Sequence, residues 1–339
     1  MMNKLKPAIS TSMPGAPDIP GLCLRPYRDT ADCEQIHSII QLSNDFDGVD
    51  WFVNVEDVIR YFEHPHNFDP QQDALFVQVG SEPVGYIEVG WRRESEGRLI
   101  YHHEAFLLPA WRRKGIGTAM LKTAEARLRT IAAGHTSDEP RVFRTWAEEN
   151  ETGKIALFEG AGYGPARYFF EMVCKSTTEL PSASMPQGLE IRPATPEHYR
   201  PVWEALSEAF RDHWSYTPPA EEHYQRWLKN RRFQPERWII VWDGDEVAGM
   251  ILNYIDPEEN KARQRKRGYT EDIGVRRPWR RRGLARAMLV RSIQLLRREG
   301  MKEVALGVDT KNPSGALSLY ESVGYKPARN IMAYEKLMA

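Results

Sequence analysis

Two short basic segments of this chain have the residue types needed to hold a phosphate group. The first is residues 111–117 (WRRKGIG) and the second is residues 279–285 (WRRRGLA). Each follows a short apolar run that predicts a strand, and each opens an apolar-periodic run that predicts a helix. The free backbone N–H groups and the dipole of a helix start favour an anion, and glycine lets the backbone approach it closely. The two turns therefore indicate two sites for a phosphate-bearing cofactor.

Other landmarks of the chain are duplicated in the same order. Residues 21–26 (GLCLRP) match residues 188–193 (GLEIRP), and residues 161–163 (AGY) match residues 323–325 (VGY). A duplication explains this order better than convergence. It predicts two related domains, residues 21–175 and 188–339, which are joined by a Ser-, Thr- and Pro-rich linker at residues 176–187. Residues 1–20 are predicted to be a mobile tail.

Composition narrows the class of protein. The 339 residues are 41% hydrophobic and 27% charged, which is typical of a soluble globular protein with two domains. The net charge of −1 provides no general field for nucleic acid, and no apolar run approaches the length of a membrane span. The three cysteines follow no metal or disulfide pattern. We therefore expect a cytoplasmic protein without a metal, nucleic-acid or membrane partner, and the oligomeric state stays open.

The elements that must position the turns follow from the hydrophobic periodicity. In the second domain we expect strands at residues 189–192, 238–242, 247–254, 269–275, 304–308 and 331–336, and helices at 197–211, 220–229, 283–298 and 314–322. In the first domain we expect strands at residues 75–79, 83–91, 100–108 and 141–147, and helices at 115–133 and 153–160. The predicted fold class is α/β of the α+β kind, with a mixed, mostly antiparallel sheet flanked by helices in each domain.

This element order and the two R-x-x-G-x-[GA] turns resemble the GNAT superfamily of N-acyltransferases in its tandem, two-domain form. The resemblance implies an acyl-CoA cofactor, with acetyl-CoA as the first choice, whose pyrophosphate binds the backbone amides of the turns. It also implies that the strand before each turn splays from its neighbour and lends backbone groups to the acyl carbonyl and the pantetheine arm. The implied cofactor-binding residues are Ile273, Val275, Arg280, Arg281, Arg282, Gly283, Leu284, Ala285 and Arg286 in the second domain, and Phe106, Leu107, Arg112, Lys114, Gly115, Ile116, Gly117 and Thr118 in the first.

A downstream motif distinguishes the two domains. The resemblance implies that Asn312 lies near the pantetheine and that Tyr320 lies near the thiol sulfur. A phenol at that place can protonate or stabilise the departing thiolate. The copy in the first domain has Asn150, which is expected to bind the cofactor, but Phe158 replaces the tyrosine and has no proton to give. We therefore expect the second domain to be catalytic. The first is expected to be weakened, and either binds acyl-CoA or serves as a packing partner.

A general base is needed because an ammonium acceptor must lose a proton before it attacks. Glu271 and Asp272 are the candidates in the second domain, and Glu104 occupies the position of Asp272 in the first. Because side chains alternate along a strand, we expect only one of Glu271 and Asp272 to face the cleft. Which of them does so is left open.

The acceptor site is expected in the loop at residues 210–218 (FRDHWSYTP). There Asp212 could pair with an ammonium group, and Trp214 and Tyr216 could stack on it. Packing of Trp214 onto the core is an equal alternative. The predicted function is direct acetyl transfer to a small-molecule amine in a ternary complex, because no cysteine stands where an acyl-enzyme could form. The alternatives are a protein N-acetyltransferase and a non-catalytic acyl-CoA-binding regulator.

Overall fold

The computed structural model describes residues 13–312 and 314–338. The described chain forms two compact units. The N-terminal unit ends at Ala166 and also contains the chain from Met332 onward, whereas the C-terminal unit spans Arg167–Ile331.

Each unit contains a sheet and helices in the predicted order. The strands of the first half are β1 (Leu22–Pro26), β2 (Ala74–Val79), β3 (Glu82–Glu94), β4 (Arg98–Leu107) and β5 (Arg141–Glu148). Its helices are α1 (Asp32–Asp47), α2 (Val55–Glu63), α3 (Pro70–Asp73), α4 (Ile116–Ala133) and α5 (Thr152–Gly160). The strands that follow are β6 (Gly164–Lys175), β7 (Glu190–Arg192), β8 (Ile239–Asp243), β9 (Glu246–Ile255), β10 (Arg267–Val275), β11 (Glu303–Asp309) and β12 (Lys326–Leu337). The remaining helices are α6 (Tyr199–Ala209), α7 (Glu221–Leu228), α8 (Pro257–Ala262), α9 (Leu284–Arg298) and α10 (Ala316–Ser322).

The predicted fold class is confirmed in both units. In the N-terminal unit β1 to β4 are antiparallel neighbours and β5 joins β4 in parallel. In the C-terminal unit β7 to β10 are antiparallel, β11 is parallel to β10, and β6 is antiparallel to β11. The elements without a predicted range are β1, α1, α2, α3 and β6 in the first half and α8 in the second. The first turn of α8 is capped by the Asp256 side chain, which accepts from the Glu259 amide at 3.1 Å.

Helices cover both faces of the C-terminal sheet, which explains why β8 and β9 are apolar along most of their length. On one face α6 packs on Ile240, Trp242 and Met250. On the other face α9 packs on Ile239 and Val241. The α9 side chains that pack on this face are at most 1% exposed; they are Leu284, Met288, Leu289, Ile293 and Leu296.

The terminal strands differ from the simple division into residues 21–175 and 188–339. Most of β6, which follows α5 of the first half, belongs to the C-terminal unit, where it pairs with β11. The end of β12 belongs to the N-terminal unit, where Met338 donates its amide to the Arg141 carbonyl at 2.9 Å. Each compact unit is therefore completed by a strand from the other half of the sequence.

The segments outside the predicted domains also have contacts. Residues 1–12 of the predicted tail lie outside the described residues. Met13 is 5% exposed, and Gly15 lies against Lys122 of α4. Within the predicted linker, Leu180 and Met185 pack on the core of the C-terminal unit. No helix among residues 13–312 and 314–338 is both long and apolar enough for a membrane span.

The strand before each basic turn separates from its parallel neighbour, as expected. β10 pairs with β11 only at residues 267–269, although β10 continues to Val275 and β11 to Asp309. β4 pairs with β5 only at residues 99–102, although these strands continue to Leu107 and Glu148. A gap therefore opens between the two central strands of each unit.

Candidate functional site

The two basic turns have the same backbone geometry. Arg113 and Gly115 have φ values of 61° and 86°, and the corresponding Arg281 and Gly283 have values of 60° and 79°. Left-handed residues between right-handed or extended ones turn successive N–H groups toward one concave surface, which is an anion-binding arrangement. An arginine in this conformation costs about 1 kcal/mol, a strain that is typical of functional sites.

The helices that follow the turns leave their first N–H groups available. Neither α4 nor α9 has a side-chain cap at its N-terminus, where Gly115 and Gly283 stand. The side chains of Ile116 and Leu284 are buried, so these residues can offer only backbone groups to a ligand. Both turns therefore fit a pyrophosphate group through backbone amides.

The first arginine of each turn is hydrogen-bonded to the end of the strand that precedes the turn. Arg280 Nε donates to the Val275 carbonyl at 2.9 Å, and Arg112 Nε donates to the Leu107 carbonyl at the same distance. Arg112 also pairs with Asp47 at 2.6 Å. These side chains fasten the turn to the strand end. Among the other predicted cofactor residues, Arg281, Arg282, Arg286, Lys114 and Thr118 are exposed, while Ala285, Gly117 and Ile273 are half-buried.

The two turns differ in what lies over them. A Cβ atom added at Gly283 would meet no atom within 4 Å, so that turn is open. At Gly115 an added Cβ would lie 3.6 Å from Pro17 Cβ, because the described part of the N-terminal segment rests on this turn. The C-terminal turn is therefore the more accessible of the two.

A β-bulge brings both predicted bases to the same side of β10. The register between β10 and β9 shifts between Glu271 and Gly274, and Asp272 has a left-handed φ of 48°. The extra residue interrupts the alternation of side chains, so Glu271 and Asp272 line one cavity. The expectation that only one of them faces the cleft was wrong, because strict alternation does not apply at a bulge.

The pKa values of the Glu271 and Asp272 carboxyl groups are raised well above their ordinary values. Burial, followed by the neighbouring charge of Asp272, raises the pKa of Glu271 to about 8. Burial also raises the pKa of Asp272 to about 6, while the positive charge of Arg232 lowers both values. Two groups that release protons near neutral pH are suited to accept one from an ammonium group.

Tyr320 lies close enough to Glu271 for the charge of that carboxyl group to affect its pKa. Its side chain is 7% exposed, and burial, with Glu271 as the second cause, raises its pKa well above the usual value. Its ring packs edge-on against Tyr325 at 6.2 Å between centroids. The raised pKa keeps the hydroxyl protonated at neutral pH, so it can act as a hydrogen-bond donor. Phe158 stands at the corresponding place of the N-terminal unit and is also buried.

The two predicted asparagines lie in loops after the splayed strands. The Asn312 side-chain oxygen accepts from the Ser314 amide at 2.9 Å, so it shapes the loop before α10. Asn150 donates to the Gly48 carbonyl at 3.3 Å. Neither side chain is buried.

The predicted acceptor loop does not reach the carboxylate cavity. Asp212 pairs with Arg277 at 2.7 Å and with Arg280 at 3.3 Å, so its charge is compensated by these two arginines and it does not line the cavity of Glu271. Trp214 packs against Phe169. Tyr216 is half-buried. The assignment of Asp212 to an acceptor ammonium is corrected accordingly.

The residues that form the cavity around Glu271 and Asp272 were not predicted from the sequence. The cavity has a volume of about 260 Å³, and its other lining residues are Trp227, Asn230, Arg232, Phe233, Trp238, Leu252 and Tyr254. They come from α7, the loop after it and β9. The dense aromatic pattern of residues 227–238 was the available signal.

The N-terminal unit has a cavity of about 380 Å³ at its own turn and splayed strand, lined in part by Leu107, Gly115 and Phe158. Burial raises the pKa of Glu104 to about 7. The ammonium of Lys154 lies 3.7 Å from the Glu104 carboxylate and 3.2 Å from that of Glu151. The carboxylate that corresponds to Asp272 is therefore already paired with a cation of the same unit.

Comparison with known proteins gives matches over both halves. The acetyltransferase (GNAT) family model matches residues 36–163 and 200–325. A mycothiol acetyltransferase of Thermobispora bispora is 27% identical over 252 residues, which cover 74% of this chain and 79% of that relative. A mycothiol acetyltransferase of Salinispora arenicola is 25% identical over 310 residues, with coverage of 88% and 91%. A solved GCN5-related N-acetyltransferase from Sphaerobacter thermophilus has a TM-score of 0.72 and 25% identity, with coverage of 94% and 96%.

Proposed function

The chain belongs to the acetyltransferase (GNAT) family and is an N-acyltransferase, and we propose that its C-terminal unit transfers acetyl from acetyl-CoA to a primary amine of a small molecule. The observation on which the proposal rests is that Glu271 and Asp272 line one cavity on the splayed strand that leads to the open turn at Gly283. The charge of Glu271 also acts on the buried Tyr320 and raises its pKa. The curated relatives are named for acetylation of a small molecule, which supports this class of acceptor.

Each residue has a part in the reaction. Acetyl-CoA supplies an activated thioester. The amides of the turn at residues 281–285 would hold its pyrophosphate, and the free backbone groups of β10 would hold the pantetheine arm and the acyl carbonyl. The Glu271–Asp272 pair would accept the proton of the acceptor ammonium, so that the amine can attack. The Tyr320 hydroxyl would donate a hydrogen bond to the departing sulfur.

Transfer without a covalent enzyme intermediate is favoured by the placement of the cysteines. Cys174 is the only cysteine in the sequence of the C-terminal unit. It is buried, burial raises its pKa, and it does not line the cavity. The N-terminal unit has Phe158 and the Lys154–Glu104 pair, so we propose that it does not transfer acetyl. The expected cytoplasmic location remains a prediction.

The proposal is tested with Tyr320→Phe. We expect kcat for thiol release from acetyl-CoA, measured with a panel of primary amines, to fall by about 100-fold, because the departing sulfur loses its hydrogen bond. The Kd of acetyl-CoA, measured by calorimetry, should stay within about twofold because a hydroxyl group that acts on the leaving group adds little to ground-state binding. Tyr199→Phe, which lies outside the cavity, is the control. A fall in the affinity for acetyl-CoA that parallels the fall in kcat would contradict the role assigned to Tyr320. The absence of thiol release with every amine would contradict the proposed transfer to a small-molecule amine.

A further inference from the structure

The cavity beside the carboxylate pair is lined by both acidic and apolar side chains. Glu271 and Asp272 are the acidic residues. Five of the nine lining residues present aromatic or aliphatic surface: Trp227, Phe233, Trp238, Leu252 and Tyr254. A ligand in this space would meet two carboxyl groups and several apolar side chains, which suits a molecule with a cationic group and an apolar body.

The apolar wall is a packed cluster of rings. The Trp227 and Trp238 rings are stacked with centroids 5.2 Å apart, and Phe233 meets both edge-on at 4.8 Å. Such rings offer flat surfaces to another flat or bulky apolar group. They offer few hydrogen-bonding groups to a ligand rich in hydroxyls, and a buried hydroxyl without a partner is costly.

Hydrogen bonds to β9 hold the loop that carries these rings. The Gln234 side chain donates to the Ile255 carbonyl and accepts from the Ile255 amide, both at 2.9 Å. The Asn253 side chain donates to the Arg237 carbonyl at 2.9 Å. The wall is therefore formed before a ligand arrives, which makes its shape selective.

Two carboxyl groups and one guanidinium are the charged groups among the lining residues, so the cavity favours a cation over an anion. Arg232 is the positive group among the lining residues, and its guanidinium lies 5.0 Å from the centre of the Tyr254 ring. The two carboxyl groups lie beside the same ring on the neighbouring strand. An ammonium group at this place would have a carboxylate as its partner, while Arg232 and the stacked Tyr269 already occupy the Tyr254 ring.

Resting on the proposed function, we infer that the acceptor is a compact primary amine with an aromatic or bulky aliphatic body, such as an arylalkylamine, rather than a hydroxyl-rich amino sugar. A volume of about 260 Å³ corresponds to roughly nine water-sized groups. The body is therefore about as large as one substituted aromatic ring.

The inference is tested first with the wild-type protein. Thiol release from acetyl-CoA is measured with 2-phenylethylamine, ethylamine, a biphenyl homologue and D-glucosamine. We expect kcat/KM for 2-phenylethylamine to exceed that for each of the other three by at least about tenfold, because only its body matches the cavity in size and polarity. Faster turnover of D-glucosamine would overturn the acceptor class and leave the proposed function intact. No thiol release with any amine would overturn both.

Two variants then test whether the aromatic wall of the cavity determines which amine is accepted. Phe233→Leu removes one ring of the wall, and we expect KM for 2-phenylethylamine to rise about fivefold while the Kd of acetyl-CoA stays unchanged. Trp203→Leu is the matched control, because Trp203 contacts Trp227 at 5.2 Å but does not line the cavity. An unchanged KM in Phe233→Leu, or an equal rise in both variants, would overturn recognition by the cavity wall.

Discussion

At the scale of residues, the main feature of the site is the pair of adjacent carboxyl groups on a bulge. Asp272 has a left-handed φ of 48°, which is unfavourable for a residue with a side chain. The bulge places its carboxyl group in the same cavity as that of Glu271. Burial and mutual repulsion then raise the pKa of Glu271. The unfavourable backbone conformation of Asp272 and the unfavourable ionisation of Glu271 therefore occur at the place where we propose that the reaction takes place.

The cost of ionising the buried Glu271 predicts how the stability of the folded protein changes with pH. The pKa of Glu271 is raised from its ordinary 4.5 to about 8, so the folded protein binds this proton more tightly than the unfolded chain does. The stability that Glu271 contributes is therefore present below pH 4.5 and is lost as the pH rises toward 8. We expect Glu271→Gln to raise Tm by at least about 2 °C at pH 8.5 and to change it little at pH 4.5.

Thermal unfolding at the two pH values measures this effect. Glu258→Gln is the control, because the Glu258 side chain is 63% exposed and lies outside the cavity. An equal change of Tm at both pH values would contradict the predicted linkage. Loss of acetyl transfer in Glu271→Gln should accompany the gain in stability, because the same carboxyl group is proposed to accept the proton.

At the scale of elements, the same strand–turn–helix motif occurs twice, and the two turns differ in how accessible they are to a ligand. Strand, strained turn and uncapped helix recur around Gly115 and around Gly283. Pro17 lies against the first turn and nothing lies within 4 Å of an added Cβ at the second. The same local sequence pattern therefore gives an open turn in one unit and a covered turn in the other.

Calorimetric titration of acetyl-CoA tests this difference. We expect one site per chain in the wild type, and we expect Gly283→Glu to remove it because a carboxylate would occupy the anion position. Gly300→Glu is the matched control, because Gly300 also has a positive φ and open space but lies at the other end of α9. Two sites in the wild type, or binding retained in Gly283→Glu, would contradict this assignment of the turns.

At the scale of the whole molecule, the end of the chain is part of the N-terminal unit. Arg144 is completely buried and pairs with Glu94 at 2.6 Å and with Glu335. Arg98 also pairs with Glu335, at 2.7 Å. A buried guanidinium depends on such partners, because removal of one leaves charge uncompensated. The last strand therefore contributes to a unit whose other strands are formed far earlier in the chain.

We expect Glu335→Ala to destabilise the N-terminal unit by about 3 kcal/mol. The readout is amide hydrogen exchange, which should increase in β4 and β5 and stay unchanged in β8 and β9. Glu299→Ala is the control, because Glu299 forms an exposed pair with Arg237 in the C-terminal unit. Faster exchange confined to the C-terminal unit would contradict the assignment of the last strand.

The sequence by itself determined most of the local elements, the two strand–turn–helix segments with their basic turns, and the place of Tyr320 in the helix that follows the last parallel strand. Glycine, basic residues and apolar periodicity act over a few neighbouring residues, so their consequences can be inferred from a short window. The tertiary structure alone decided that Glu271 and Asp272 share a cavity, that Asp212 pairs with Arg277 and Arg280, and that β6 and the end of β12 complete opposite units. These features depend on the register of distant strands and on contacts between residues far apart in the chain, which no local pattern specifies.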